Sequence, residues 1–348
     1  MAPRVYLDWN ASAPLSDAAR RAMISTMDVL GNPSSVHAEG RAAVAIVERA
    51  RAQVAAAFGA DGADIVFTSG ATEAAALALA GRDLVAADIE HDAVAAWVRP
   101  ELAVSADGSV SGAEPADMCL QYANSETGIV QAIPEGLAVC DATQAWGKLP
   151  IAFNWLGAEM ALASAHKLGG PKGVGALILK RGTEVAAQMK GGGQEMGRRA
   201  GTQNVIGIAG FGAAAEAAAQ SVASGDWDRV ENLRDQMEEA LAAADKHTIF
   251  VGKGAKRLPN TSCIITPGWK GETQVMNMDL AGFAISAGSA CSSGKVRSSR
   301  VLRAMGFDDI SAACAIRVSI GPDTTEDEIG RFIDAFTAAQ GKFRARAA

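Results

Sequence analysis

A lysine stands between two apolar runs in Ser164-Ala-His-Lys-Leu-Gly-Gly-Pro-Lys-Gly-Val-Gly-Ala176, with Ser164 and His166 before it and a Gly/Pro turn after it. Residues 158–163 suit a buried strand, and residues 173–179 suit a second one. An amine in a tight connection between buried strands is costly unless it is charged and paired, or used covalently. Lys167 is therefore either a solvated loop lysine or an amine that forms an imine with an aldehyde. In the second case a hydroxyl and an imidazole lie nearby to hold a phosphate.

Other stretches carry chemistry of the same kind. Ser69-Gly-Ala-Thr-Glu73 joins a strand to a helix, where free backbone N–H groups and the Thr72 hydroxyl make either an anion site or an ordinary capped helix. Asp141-Ala-Thr-Gln144 puts a carboxylate at the end of a short apolar strand. Buried there, Asp141 needs a donor or cation such as a protonated pyridine nitrogen, unless it caps the next helix. Gln144 lies close enough in sequence to meet a phenolic oxygen on the same ring. Glu90-His91 ends another strand, and a flat imidazole stacks on heteroaromatic rings and exchanges protons near neutrality, although a structural histidine fits that place too.

Three further features complete the set. Residues 191–204 are rich in glycine, with two arginines and Thr202, and suit close approach to an anion or another subunit as well as a surface loop. Cys291 lies among Gly and Ser in residues 286–294, either as an accessible thiol whose thiolate Lys295 and Arg297 would favour or as a chance surface cysteine. Arg317 sits inside an apolar strand and demands an anionic partner, for which a substrate carboxylate would serve.

The elements that position these residues alternate strand and helix. Strands are expected at 64–68, 83–89, 117–123, 139–141 and on either side of Lys167, with helices over 16–29, 38–58, 70–79 and from Asp92. That alternation predicts an α/β fold with a mostly parallel sheet covered on both faces, in which ligands gather at the carboxyl ends of strands. Two Ala-rich helical runs fill 201–245. A smaller α+β unit follows, with strands near 248–252, 262–266, 282–286 and 316–320 and helices over 272–280, 298–305 and 326–343. The expected division is a large domain over 15–230 and a small one made of 1–14 plus 231–348.

Composition narrows the class. With 348 residues, 49% hydrophobic and 20% charged, the chain has ample core for two domains. A net charge of −7 and no basic stripe argue against nucleic acid and anionic membrane surfaces as partners. No signal peptide and no apolar window near the ~20 residues of a membrane span are expected. The five cysteines include no C-x-x-C pair, which disfavours a disulfide framework and a cysteine-built metal site and points to a reducing cytoplasm.

In this order, Thr68-Ser-Gly-Ala-Thr-Glu73, Ser164-Ala-His-Lys167 and Gly288-Ser-Ala-Cys291 resemble the cysteine desulfurases of the pyridoxal-phosphate-dependent class V aminotransferase superfamily, close to the iron–sulfur-cluster and nitrogen-fixation branch. The resemblance runs from Tyr6 past Thr325 and implies a PLP-dependent transferase of the aspartate aminotransferase-like fold type I. It implies that Lys167 carries pyridoxal 5'-phosphate as an imine and moves the substrate's α-proton, with His91 stacked on the ring. Asp141 would meet the pyridine nitrogen and Gln144 the phenolic oxygen. Ala71, Thr72, Ser164 and His166 would hold the phosphate, with Thr202 reaching across from a second subunit of a homodimer. Arg317, with Asn32 or the Asn124 loop, would bind the carboxylate of L-cysteine. Cys291 would take the sulfur as a persulfide and pass it to an acceptor or iron–sulfur scaffold protein. A selenocysteine lyase or aminotransferase on the same scaffold, and a non-catalytic sulfur-transfer partner, are the alternatives.

Two departures stand out. Asn124-Ser125-Glu126 replaces the family's Asn-Asn-Glu. From Ile129 to Cys140 only twelve residues join two parallel strands, so a crossover helix is expected to be missing there, with another trim between His91 and Asn124.

Overall fold

The protein is described by a computed structural model covering residues 3–288 and 298–347. The chain begins with a two-residue strand, β1 (Val5–Tyr6), followed by α1 (Asp17–Thr26) and α2 (Ala38–Ala57). Each helix opens on a side-chain cap: Ser16 accepts from Ala19 N, and His37 accepts from Gly40 N. Next come β2 (Asp64–Thr68), α3 (Ala71–Leu79), β3 (Val85–Ala87) and the single-turn α4 (Asp92–Ala95). Then follow β4 (Arg99–Val104), β5 (Val110–Ser111), β6 (Cys119–Gln121), β7 (Leu137–Asp141), β8 (Ala158–Ser164) and β9 (Gly175–Leu179).

The long helices α5 (Val205–Ala223) and α6 (Asp226–Ala244) lead to the last third. It contains β10 (Ile249–Phe250), β11 (Thr261–Ile265), α7 (Gly271–Leu280), β12 (Phe283–Ala284) and β13 (Ser286–Ala287). It ends with α8 (Arg300–Ala304), α9 (Asp309–Ala313), β14 (Ala315–Ser319) and α10 (Glu326–Ala347).

The central sheet runs β2-β9-β8-β7-β6, with β6, β7 and β8 parallel and β9 antiparallel to both of its neighbours. Because β9 is antiparallel to both β2 and β8, β2 runs in the same direction as β6, β7 and β8, so the sheet is mostly parallel as expected and β9 alone is reversed. The physical reason is length: the turn from Ser164 to Gly175 is too short for a crossover, so β9 must return beside β8 as a hairpin would. Lys167 is in that turn. A bridge from Val85 to Met118 brings β3 alongside β6, and β4 and β5 extend β3 outward.

The two expected trims are present. No helix lies between β6 and β7, and Tyr122, Val130, Ile133, Ile151, Trp155 and Leu156 line an open groove at that connection, with Trp155 89% exposed. The helix expected from Asp92 is one turn long, and the chain continues into the β4–β5 hairpin instead.

A second sheet, β10-β11-β14-β13, is wholly antiparallel. The N-terminal residues belong with it: β1 pairs in parallel with β12, and Asp8 bridges Ser319. Its core packs Phe332, Phe336 and Trp269 against Val230, Leu233 and Met237 of α6. The central sheet is covered on one side by a separate core in which Phe58 stacks on Trp146 and meets Phe211 of α5. One composition reading needs correction here. By length and composition α5 is apolar enough to cross a membrane. Its Ile208, Phe211, Ala214 and Ala215 are buried, and it packs on α1 and α2 as a core helix does.

Candidate active site

A cavity of about 640 Å³ opens where the carboxyl ends of β2, β7 and β8 meet the N-terminal residues and β14. From the turn after β8 it receives Ser164, His166 and Lys167; after β2, Ser69 to Thr72; after β7, Asp141, Thr143 and Gln144; and beyond β3, His91. Arg317 on β14 and Asn10 to Ser12 close the far wall. Nine of the residues expected at a site are thus brought together: Ala71, Thr72, His91, Asp141, Gln144, Ser164, His166, Lys167 and Arg317.

Local packing explains the placement. A Cβ at Gly175 would lie 2.7 Å from Gly70 Cα and 2.6 Å from Ala163 O, so only glycine lets β9 draw the start of α3 against the end of β8. No side chain caps α3 at Gly70, which leaves its first N–H groups facing the cavity beside the Thr72 and Ser164 hydroxyls. Asp141 Oδ1 accepts from Thr143 N at 3.0 Å, and the carboxylate forms part of the cavity floor. His91 Nδ1 accepts from Ala93 N at 3.1 Å, which fixes the ring at the start of α4 with its other nitrogen as the donor when the ring is neutral.

Lys167 Nζ donates to Asn10 O at 2.6 Å and Ala11 O at 3.0 Å. Gln144 Nε2 donates to the same Asn10 oxygen at 3.0 Å. Two residues the sequence reading left unassigned, Asn10 and the buried Lys148, therefore belong to the site. Lys148 Nζ donates to Gln144 Oε1 at 2.8 Å and to Asn10 Oδ1 at 2.9 Å. Burial, reinforced by the charges of Lys167 and Arg317, drives the Lys148 pKa well below the ordinary lysine value.

The anion that Arg317 requires is supplied by the protein. Its Nη2 pairs with Asp8 Oδ1 at 2.6 Å, and its Nη1 donates to Ser125 O at 3.0 Å. Asp8 Oδ2 in turn accepts from Ser286 Oγ at 2.8 Å. The Arg317 Nε is buried with no hydrogen-bond partner, as is the Thr143 Oγ1 at the cavity floor.

The environment shifts other groups. Burial, with Lys167 and Lys172 nearby, lowers His166 to a pKa of about 4, and its Nδ1 lies 3.3 Å from Ser12 Oγ. Burial raises Glu126 to about 7, against the opposing effects of the Ser299 hydroxyl 2.5 Å away and of Arg317 and Arg300. Glu90, fully buried beneath Asp141's field, is raised well above the usual carboxylate range.

Four expected residues stand apart. Asn32 is exposed in the loop before α2, its Oδ1 accepting from Ser34 N, away from the cavity. Thr202 is exposed and does not reach the cavity of its own chain. Asn124 is buried, but its side chain is consumed locally: Oδ1 accepts from Glu126 N and Thr127 N, and Nδ2 donates to Ile89 O. Its neighbour Ser125 is the residue of that loop that lines the cavity. Cys291, with Lys295 and Arg297, lies outside the described residues.

The model of the family "Aminotransferase class-V" matches residues 5–107 and 110–332. A cysteine desulfurase of Cereibacter sphaeroides is 38% identical over 380 residues, spanning 98% of this chain and 97% of the relative. The chain belongs to the class-V aminotransferase family, on its cysteine desulfurase branch. That alignment is longer than this whole chain of 348 residues, so the relative carries segments that this family member lacks. The structure of a NifS-like protein from Rickettsia africae ESF-5 superposes with a TM-score of 0.88 at 30% identity, covering 96% of this chain and 99% of that one. The structure titled SspA in complex with cysteine has a TM-score of 0.75 at 26% identity and covers 92% and 100% of the two chains.

Class-V membership implies pyridoxal phosphate, and the cavity fits it. The open start of α3 with Thr72 and Ser164 suits a phosphate. Asp141 suits a ring nitrogen, and the orphaned Thr143 hydroxyl gives a further polar contact on the same floor.

Proposed function

We propose that this protein releases sulfur from L-cysteine through Cys291 and hands it to an acceptor protein serving iron–sulfur clusters or other sulfur-containing cofactors. The observation that carries the reading is the single cavity uniting Lys167, His91, Asp141, Gln144, the α3 N-terminus and Arg317 in a chain whose full-length relatives are named cysteine desulfurases. The balance is simple: L-cysteine and the Cys291 thiol give L-alanine and a Cys291 persulfide. The substrate's C–S bond breaks, a C–H bond and an S–S bond form, the carbon is reduced, and the sulfurs are oxidised. When bound, pyridoxal phosphate supplies an aldehyde that captures amines and a ring that withdraws electrons.

The chain's own residues do the rest. Lys167 would hold the cofactor's aldehyde, and its amine would take and return the proton at the substrate Cα. Asp141 would meet the ring nitrogen and favour its protonated form, and His91 would lie against the ring. Arg317 takes the substrate carboxylate, exchanging part of its hold on Asp8 for it. The four described cysteines support Cys291 as the sulfur carrier, since Cys119, Cys140, Cys263 and Cys314 are all buried and burial raises every one of their pKa values.

A homodimer completes the site in this reading. Leu30, Val36 and Met196 are 91%, 88% and 57% exposed on the side that carries Asn32 and Thr202, and a second copy covering them would deliver Thr202 to the phosphate. The division into 15–230 and 1–14 plus 231–348 is proposed on the separation of the two main sheets, and a cytoplasmic home on the free thiols of the four described cysteines.

The test is direct. The purified protein is loaded with pyridoxal phosphate and incubated with cysteine, and thiols are mapped by mass spectrometry. Alanine is expected to form, with a persulfide on Cys291 alone. Failure to bind the cofactor, or a persulfide elsewhere with Cys291 unmodified, refutes the proposal.

A further inference from the structure

The buried polar residues beneath the cavity form a directed network. Lys148 is 3% exposed, and none of the ion pairs among the described residues involves it. Its two contacts are both carboxamide oxygens, Gln144 Oε1 and Asn10 Oδ1. The Lys148 amine donates to both, so the oxygen end of each amide faces it. Gln144 must turn its nitrogen away from Lys148, and so must Asn10.

The rest of the network agrees with that direction. Asn10 Nδ2 donates to Thr261 Oγ1 at 2.8 Å, Thr261 Oγ1 donates to Asn260 Oδ1 at 2.9 Å, and Asn260 Nδ2 returns to Asn10 Oδ1 at 3.0 Å. Every link has one donor and one acceptor. The Gln144 nitrogen is therefore held on the cavity side, bonded to the same Asn10 carbonyl oxygen that accepts from Lys167 Nζ. One of its two hydrogens is used there, and the other remains for a group in the cavity.

We propose that Lys148 is a positioning residue that locks the Gln144 carboxamide with its NH₂ group toward the cofactor ring held at Lys167, so that the ring's phenolic oxygen meets a donor and never an acceptor. This rests on the reading that Lys167 carries pyridoxal phosphate. A donor to that oxygen stabilises its negative charge and lowers the basicity of the adjoining nitrogen. Without Lys148 the amide is free to turn its oxygen inward, and the balance reverses. The depressed pKa of Lys148 is the cost of keeping this donor in a fully buried place.

The experiment titrates the visible absorption band of the cofactor-loaded protein against pH. In Lys148→Met the midpoint is expected to rise by about one pH unit, the size of one hydrogen bond to a charged group. Lys148→Gln, which returns a donor, is expected to keep the wild-type midpoint. In a Gln144→Leu background, Lys148→Met is expected to add no further shift. A purely structural role would lower melting temperature and cofactor affinity in both backgrounds and leave the midpoint in place.

An unmoved midpoint in Lys148→Met, or a shift that persists in full without Gln144, overturns the inference. Where Lys148→Met does not fold, Lys148→Leu carries the same upward expectation, because it too removes the donor to Gln144 Oε1; an unmoved midpoint there overturns the inference too. A wild-type protein that develops no band with pyridoxal phosphate overturns this inference and the cofactor reading together, whereas a wild-type band with unresponsive variants overturns this one alone.

Discussion

Glu126 offers a quantitative test of how the site region is built. Its carboxyl is buried beside Ser299, and a Cβ at Gly288 would lie 3.7 Å from its Oε2. It therefore sits between residues on either side of the 289–297 segment. Burial raises its pKa from 4.5 to about 7, opposed by Ser299, Arg317 and Arg300 and aided by Asp92. A carboxyl with a raised native pKa stabilises the fold fully below its unfolded pKa, and that contribution is lost as pH climbs through the native one. For these two values the loss between about pH 5 and about pH 8 is ~2.5 kcal/mol.

Glu126→Gln keeps an oxygen for Ser299 and removes the titration. Denaturant unfolding of both proteins across this range is expected to show the variant gaining on wild type by roughly 2 kcal/mol or more as pH rises, with the change complete by about pH 8. Parallel stability curves, or a variant that loses ground toward alkaline pH, would refute the reasoning.

Three further outcomes are expected. His166, lowered to about 4, is neutral at pH 7; its stabilising contribution is full above 6.5 and is lost as pH falls through 4, and NMR titration should move its midpoint upward when a phosphate-bearing ligand binds. Gly321→Ala would place a Cβ 2.3 Å from the Trp9 ring, so calorimetry should show a loss of about 1–3 kcal/mol with weaker cofactor binding, because Trp9 adjoins Asn10 in the chain. Asp8→Ala leaves Arg317 buried without its anion and should cost about 3–5 kcal/mol in unfolding experiments, whereas Asp8→Asn, which keeps an acceptor, should cost less.

The strand at Asp64–Thr68 and the helices at Asp17–Thr26 and Ala38–Ala57 were legible because apolar periodicity and capping residues coincide there. Arg317 was legible as a buried cation needing a partner, but the partner was not: Asp8 is 309 residues away in the chain, and only the pairing of β14 with the first residues brings them together. Lys148 in Trp146-Gly-Lys-Leu-Pro150 has the composition of a solvated turn, and its burial depends on Asn10, which is 138 residues distant. Asn124 shows the converse. Its place beside Ser125 and Glu126 invited a ligand role, yet its amide closes its own turn. The antiparallel return of β9 was recoverable from loop length alone.

Residues 3–12 make hardly any secondary structure, yet Val5 and Tyr6 pair beside Phe283 and Ala284, Asp8 bridges Ser319, and Asn10 and Ala11 supply two oxygens that receive the Lys167 amine. A gene cloned from an internal start codon, or a sample nicked near its beginning by a contaminating protease, would keep Lys167, His91, Asp141 and Arg317 intact and still lose the wall that receives the Lys167 amine. Affinity handles for purification are thus better placed after α10 than before Val5, and the mass of the leading end should be measured before any preparation is judged inactive.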